Sequence, residues 1–201
     1  MKEWLYEYWW YLIILVGACV LAAFIIKKAA SAYRLHQKSF HSKEAEMRRL
    51  VELKNKYQFL NEQVIEAAQP EELLEGTALS YQLVLQKRED MTKAFLEMPK
   101  EKQYVYALDV FTSDKTAKEF FRQNGQELIG IIKPAFEMIG LDEFVSDIGK
   151  LAVMFDENDE TTSVNLNTVD QIDAKFSESD LLTKIKLAGA EYIKKNPQLF
   201  I

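Results

Sequence analysis

The sequence predicts an all-α protein in which one N-terminal transmembrane helix is followed by a multi-helix soluble domain. The 201 residues include only 7 Gly and 4 Pro, too few for the many turns of a β protein. Residues 8–26 are 19 consecutive residues without a charge, about the length that crosses ~30 Å of hydrocarbon. Beyond them, apolar residues recur at spacings of three and four with no lasting alternation, which indicates amphipathic helices.

Aromatic and basic residues bracket the predicted transmembrane segment. Amphipathic rings prefer the headgroup level of a bilayer, and lysine side chains reach out to it from the end of a span. The aromatic cluster therefore predicts one membrane interface and the lysine pair the other. The residues assigned to these interfaces are Trp4, Trp9, Trp10, Tyr11, Lys27 and Lys28.

The charges beside the segment predict its orientation. Lys2 precedes the segment and is offset by two glutamates, whereas four bases follow between Lys27 and Lys38. Because positive flanks stay inside, we expect a single-pass protein of the cell membrane with its N-terminus outside and its C-terminal domain in the cytoplasm. The alternative is a cleaved signal peptide ending near Ala30-Ser31-Ala32. Its charged region is not clearly basic, and the apolar run is too long for one.

Charge divides the chain into regions of opposite sign. From Lys27 to Lys56, nine bases face three acids, a net charge of +6, whereas from Glu101 to Ile201 there are 18 acids and 11 bases, a net charge of −7. The basic part suits an anionic membrane surface. The predicted organisation is a short extracytoplasmic tail, a transmembrane helix, a basic juxtamembrane and amphipathic helix, and an acidic helical domain, over residues 1–7, 8–26, 27–69 and 70–201.

A stripe of apolar residues marks the juxtamembrane helix, which is predicted to continue without a break to residue 68. The stripe keeps alternating spacings of three and four, as one face of an amphipathic helix does. Two interpretations remain open: the helix packs on its own domain, or it forms the seam of a homo-oligomer. The residues of the stripe are Leu50, Leu53, Tyr57, Leu60, Val64 and Ala67.

Helix signals continue through the acidic region. Pro70 predicts a helix start, Gly76 a break with Thr77 as the following cap, and Asn124-Gly125 a left-handed stop. Pro134 is expected to kink or split an apolar helix that Gly140 ends. The other predicted features are apolar faces containing Met91, Phe95 and Met98 up to Pro99, a helix over 100–111, Thr112 or Ser113 as the next cap, helices over 142–154 and 181–195, a loop over 156–167 and a short helix capped by Thr168.

Residue types that carry chemistry are scarce. Cys19 lies in the predicted anchor, and His36 and His41 lie five residues apart in its flank, on different helix faces. The domain therefore lacks a Cys-His or Ser-His pair. We expect no enzymatic activity, cofactor or metal. The acidic balance also argues against direct nucleic-acid binding, which depends on Lys and Arg.

Two groups of acidic residues resemble a functional site but do not meet the requirements of one. The loop from Asp156 has the alternating acids of an EF-hand, but Thr161 stands where glycine is required and Asn167 where glutamate is required. Asp142, Glu143 and Asp147 lie at a predicted helix start, where the helix dipole explains them.

Residues 81–201 resemble the DNA-mimic-protein-like family, a helical domain family mostly of unknown function. Short segments carry the resemblance, while Asp114-Lys115-Thr116-Ala117 departs from an Asn-Gly-Gly-Phe segment of the family. The resemblance implies a small acidic all-α domain, with carboxylates that imitate DNA phosphates in at least one kind of member. The resembling segments are Tyr104 to Asp109, Phe120-Phe121 with Asn124 to Leu128, Ala135 with Ile139-Gly140, and Tyr192 to Pro197 with Phe200.

Taken together, the anchor, the charge polarity and the missing catalytic residue types predict a membrane-anchored cytoplasmic domain that binds a protein partner. One alternative is a structural subunit that oligomerises within a membrane complex. The other is an enzyme that uses carboxylates, and a converging group of them in a pocket would favour it.

Overall fold

The computed structural model describes residues 43–114, 116–156 and 164–201. The chain divides into two units between Val51 and Glu52. In the first unit, residues 43–51 are helical. Over the described ranges the structure consists of helices and turns without any strand, which confirms the predicted all-α class.

The second unit is a bundle of short helices. It begins with the helical residues 52–57, here called α1. The later helices are α2 (Glu62–Ala67), α3 (Pro70–Leu85), α4 (Met91–Leu96), α5 (Lys100–Ser113), α6 (Ala117–Gln123), α7 (Gln126–Met138), α8 (Asp142–Met154), α9 (Leu166–Glu178), α10 (Leu181–Lys195) and a 3-10 turn (Pro197–Leu199).

The long helices build the core. Helix α5 packs between α3 and α7, while α10 covers α3 and α8 covers α7. Aromatic rings fill the space between α5, α6 and α7: Phe111 lies 5.1 Å from Phe120 and 5.4 Å from Phe136, measured between ring centroids. Tyr81 joins the C-terminal residues to α3, because its hydroxyl donates a hydrogen bond of 3.1 Å to the carbonyl of the buried Phe200.

None of the helices in the described ranges is long and apolar enough to cross a bilayer. The segment predicted to do so, residues 8–26, lies outside those ranges, as do the predicted interface residues. The membrane anchor and the orientation therefore stay predictions. The interface residues concerned are Trp4, Trp9, Trp10, Tyr11, Lys27 and Lys28.

The continuous helix predicted up to residue 68 is wrong, since turn residues 58–61 separate α1 from α2. Asn61 starts α2 by accepting a hydrogen bond from the backbone N–H of Val64 at 3.0 Å. A local side-chain cap of this kind competes with continuing the previous helix.

The break predicted at Gly76 is also wrong, because Gly76 lies inside α3. A Cβ atom at this position would stand 2.4 Å from two carbons of the Tyr57 ring. Glycine is present because the ring of α1 lies directly on the backbone of α3, and the helix therefore continues through it. The predicted start of α3 at Pro70 is confirmed.

Pro134 does not split its helix, since α7 is helical from Gln126 to Met138. Proline removes the N–H that would bond to the carbonyl of Gly130. Gly130 is exposed, so water can satisfy that carbonyl. Gly140 ends the turn after α7 with a φ of +74°, which confirms the predicted stop.

Several helix ends are set by residues other than those predicted. Thr116, rather than Thr112 or Ser113, caps α6, and Asn165, rather than Thr168, caps α9. At Asn124-Gly125 the helix ends as expected, but neither residue is left-handed, with φ of −104° and −74°. Instead, the Asn124 side chain donates hydrogen bonds to the Phe120 carbonyl and the Asp114 carboxylate. Helices α8 and α10 have the predicted bounds.

Candidate functional site

Helix α4 is a short helix bounded by local signals. The Asp90 carboxylate accepts a hydrogen bond from the backbone N–H of Lys93 at 2.9 Å and so caps its first turn. Pro99 stands between its last turn and α5, where a continuous helix is disfavoured. Two turns of helix are thus held as a separate element between α3 and α5.

Most of this helix faces solvent. Its buried side chain, within the six residues that the structure describes for it, is Phe95, which packs 5.4 Å from the Tyr106 ring of α5. Met91 is 54% exposed and Leu96 52% exposed. Of the residues predicted to supply apolar faces here, Phe95 is thus buried and Met91 is exposed.

A groove of about 700 Å³ lies on one side of α4, between this helix and the end of α3. Apolar side chains of α3, including the 55% exposed Val84, share its lining with charged side chains of both signs. The charged lining residues are Lys87, Arg88, Glu89, Asp90, Lys93 and Glu97.

A second groove, of about 210 Å³, lies between α4, α5 and the start of α7. Met91, Phe95 and Tyr106 line it, together with Leu128. Leu85 lines both this groove and the larger one. The two grooves and the exposed apolar residues Val84, Met91 and Leu96 together form what we call the α4 surface. Exposed large apolar side chains beside grooves are typical of protein-binding surfaces.

Gln103 of α5 fixes the C-terminal end of α4. Its buried side-chain amide donates hydrogen bonds to the carbonyls of Leu96, at 3.1 Å, and Met98, at 2.7 Å. Its oxygen accepts one from the Lys100 ammonium at 3.2 Å. Sequence reasoning missed this residue, because a glutamine on an amphipathic helix looks like a surface residue.

The acidic residues of the described ranges do not converge on a chemical site. They contain no group of three or more His, Cys, Asp or Glu residues that could hold a metal ion. Asp173 accepts hydrogen bonds from the Lys118 backbone N–H at the start of α6, and burial raises its pKa. Burial likewise raises the pKa of Asp114. Both carboxylates have structural partners that account for their positions.

Asp147 is buried between two lysines. Its carboxylate accepts hydrogen bonds from Lys175 of α9 at 2.5 Å and from Lys150 at 2.9 Å. The hydrogen bond from Lys175, which has the larger effect, and the one from Lys150 hold the pKa of Asp147 below its ordinary value. The charge predicted to serve only the helix dipole of α8 thus also ties α8 to α9.

This pair of contacts makes stability depend on pH. Because the folded pKa lies below the unfolded value of about 3.9, the stabilisation is present above that pH and is lost as the pH falls through the folded pKa. Since both lysines are more than half exposed, we expect only about 1 kcal/mol. Urea unfolding at pH 7 and pH 3 should therefore show a smaller pH dependence for Asp147→Asn than for the unaltered chain. An unchanged dependence would contradict this assignment.

The predicted oligomer seam falls into two groups. Leu53 and Tyr57 are buried within the second unit, and Leu60 and Val64 pack against its core. Leu50 is exposed, as is Ala67. The interpretation in which this stripe packs on its own domain therefore accounts for most of it.

Comparisons of this chain with known proteins find no match. No family model matches the chain, and neither a curated protein nor a solved structure matches it significantly. The resemblance of residues 81–201 to the DNA-mimic-protein-like family stays a prediction.

Proposed function

We propose that this protein is a single-pass membrane protein whose cytoplasmic helical domain binds a protein partner through the α4 surface. The observation that carries the proposal is the exposure of Val84 in the larger groove and of Met91 in the smaller one, with Leu96 also exposed on α4. A partner that covers these side chains removes their apolar surface from water, which stabilises the complex by about 25 cal/mol per Å². The acids and bases along the larger groove supply the polar rim that such interfaces have.

The partner segment that suits this surface is amphipathic. Its apolar face would cover Met91 and Leu96, while its charged residues pair with both signs of charge in the larger groove, such as Lys93 and Glu97. A short helix or extended segment fits a groove of this size better than a flat protein face does.

Site-specific photo-cross-linking tests this proposal in the full chain. A benzoylphenylalanine in place of Met91 is expected to cross-link one protein repeatedly in cells that make the partner. The same group in place of Val153, which is 56% exposed on α8, is the matched control. Val84→Asp should weaken the Met91 cross-link at least about tenfold, since it places a charge in an apolar contact. Val153→Asp should leave it unchanged.

The proposal fails if Met91 and Val153 cross-link alike, or if Val84→Asp has no effect.

An oligomerising subunit is the second candidate function, and one observation favours it. The first unit has exposed apolar residues at spacings of three and four from Met47, which place them on one helix face: Met47, Leu50 and Val51. A photo-reactive group in place of Met47 that captures a second copy of the chain would support this alternative.

A further inference from the structure

We propose that α4 is a hinged segment, here called the strap, which Gln103 holds at its C-terminal end and the buried Phe95 ring holds closed. Opening of the strap joins the two grooves into one partner site. The proposal rests on the proposed function for its purpose, but the motion itself stands on the contacts of α4. When the strap is open, an apolar side chain of the partner occupies the site that Phe95 fills in the closed form.

A single buried side chain holds the strap closed. Phe95 is the buried residue of α4 in the described structure, whereas α6, a helix of similar length, buries Ala117, Phe120 and Phe121. Local opening costs less free energy where fewer apolar contacts are broken. Of the two helices, α4 should therefore open far more often.

The two ends of the strap are held differently. Among the described residues, the hydrogen bonds of residues 86–94 stay local and reach back no further than Gln82. At the other end, Gln103 binds the carbonyls of Leu96 and Met98. The strap is thus free to lift at its N-terminal end while Gln103 keeps its C-terminal end in place.

Opening would create a larger apolar site. Lys93 and Ala94 of α4 line the larger groove and Met91 and Phe95 line the smaller one, so α4 lies between the two. When Phe95 leaves, Leu85 and Tyr106 lose their cover and become the floor of one depression. A partner segment carrying an aromatic or large aliphatic residue could then pack where Phe95 packs in the closed form.

Amide hydrogen exchange of the full chain in detergent micelles tests the strap without any partner. The α4 amides, represented by that of Ala94 near the end that lifts, are compared with those of Phe120 and Asn124 at α6, since all three make helical hydrogen bonds of 3.1 to 3.2 Å. We expect the α4 amides to exchange at least about 100-fold faster and to respond little to low concentrations of urea, as local opening does. The Gln103 amide, at the hinge, should stay slow.

Phe95→Ala should accelerate exchange of the α4 amides at least about tenfold more than that of the α6 amides. Equal rates and equal urea dependence for α4 and α6 in the unaltered chain would overturn the strap, and so would an equal acceleration of both helices in Phe95→Ala. Because these rates need no partner, they separate failure of the strap from failure of the proposed function, which the cross-linking decides.

Discussion

Replacing Gly76 by alanine is expected to lower the free energy of unfolding by about 2–3 kcal/mol, from overpacking that exceeds the gain in helix propensity. The new Cβ would stand 2.4 Å from the Tyr57 ring, well inside van der Waals contact. Tyr57 is fully buried and its hydroxyl lies 3.3 Å from a Glu72 oxygen, so the ring cannot move aside without losing both contacts. Urea unfolding followed by circular dichroism measures the change.

Gly130→Ala is the matched control for this substitution. Gly130 also lies inside a helix, but a Cβ there meets nothing within 4 Å. Alanine should therefore stabilise the protein by about 0.5–1 kcal/mol, a change of opposite sign. In a Tyr57→Ala background, Gly76→Ala should lose most of its cost, and additive effects of the two substitutions would contradict the proposed contact.

Replacing Phe111 by alanine is expected to cost about 3–5 kcal/mol, a large share of the 5–15 kcal/mol that stabilises a typical domain. Phe111 is buried at the junction of α5, α6 and α7, where it meets Phe120 and Phe136. The substitution removes its dispersion contacts and leaves a cavity between helices that cannot close without moving. It also removes two aromatic pairs, worth about 0.5–1.5 kcal/mol each.

Phe59→Ala makes the same chemical change at a side chain that is 77% exposed. Its effect on the free energy of unfolding should stay within about 0.5 kcal/mol. Thermal and urea unfolding of both variants measure the difference. Similar losses in the two variants would show that the junction of α5, α6 and α7 does not hold the domain together.

The confirmed elements are those with local signals. Pro70 starts α3, and Gly140 ends the turn after α7. Helix α8 begins with the acidic Asp142 and Glu143, and α10 ends with the basic Lys194 and Lys195. Each of these signals acts within one or two helical turns, through a fixed φ angle, a cap or the helix dipole. Sequence reasoning can therefore assign them without knowing what packs nearby.

The errors occur where a residue from another element decides. Gly76 has a low helix propensity, yet it lies inside α3 because the Tyr57 ring leaves no space there for a Cβ atom. Met91 and Phe95 look alike in the periodic pattern, but Phe95 packs against Tyr106 and is buried, whereas Met91 is exposed. The Gln103 side chain on α5 binds the carbonyls of Leu96 and Met98, which lie before that helix.

The sequence by itself determined the all-α class, most helix starts and stops, and the division into basic and acidic regions, because composition, periodicity and caps act over short distances. The predicted anchor at residues 8–26 also depends on sequence alone. Only the tertiary structure decided which apolar residues stay exposed, and so placed the candidate site at α4. Burial depends on the neighbours that each side chain meets, and those neighbours come from helices far apart in the chain.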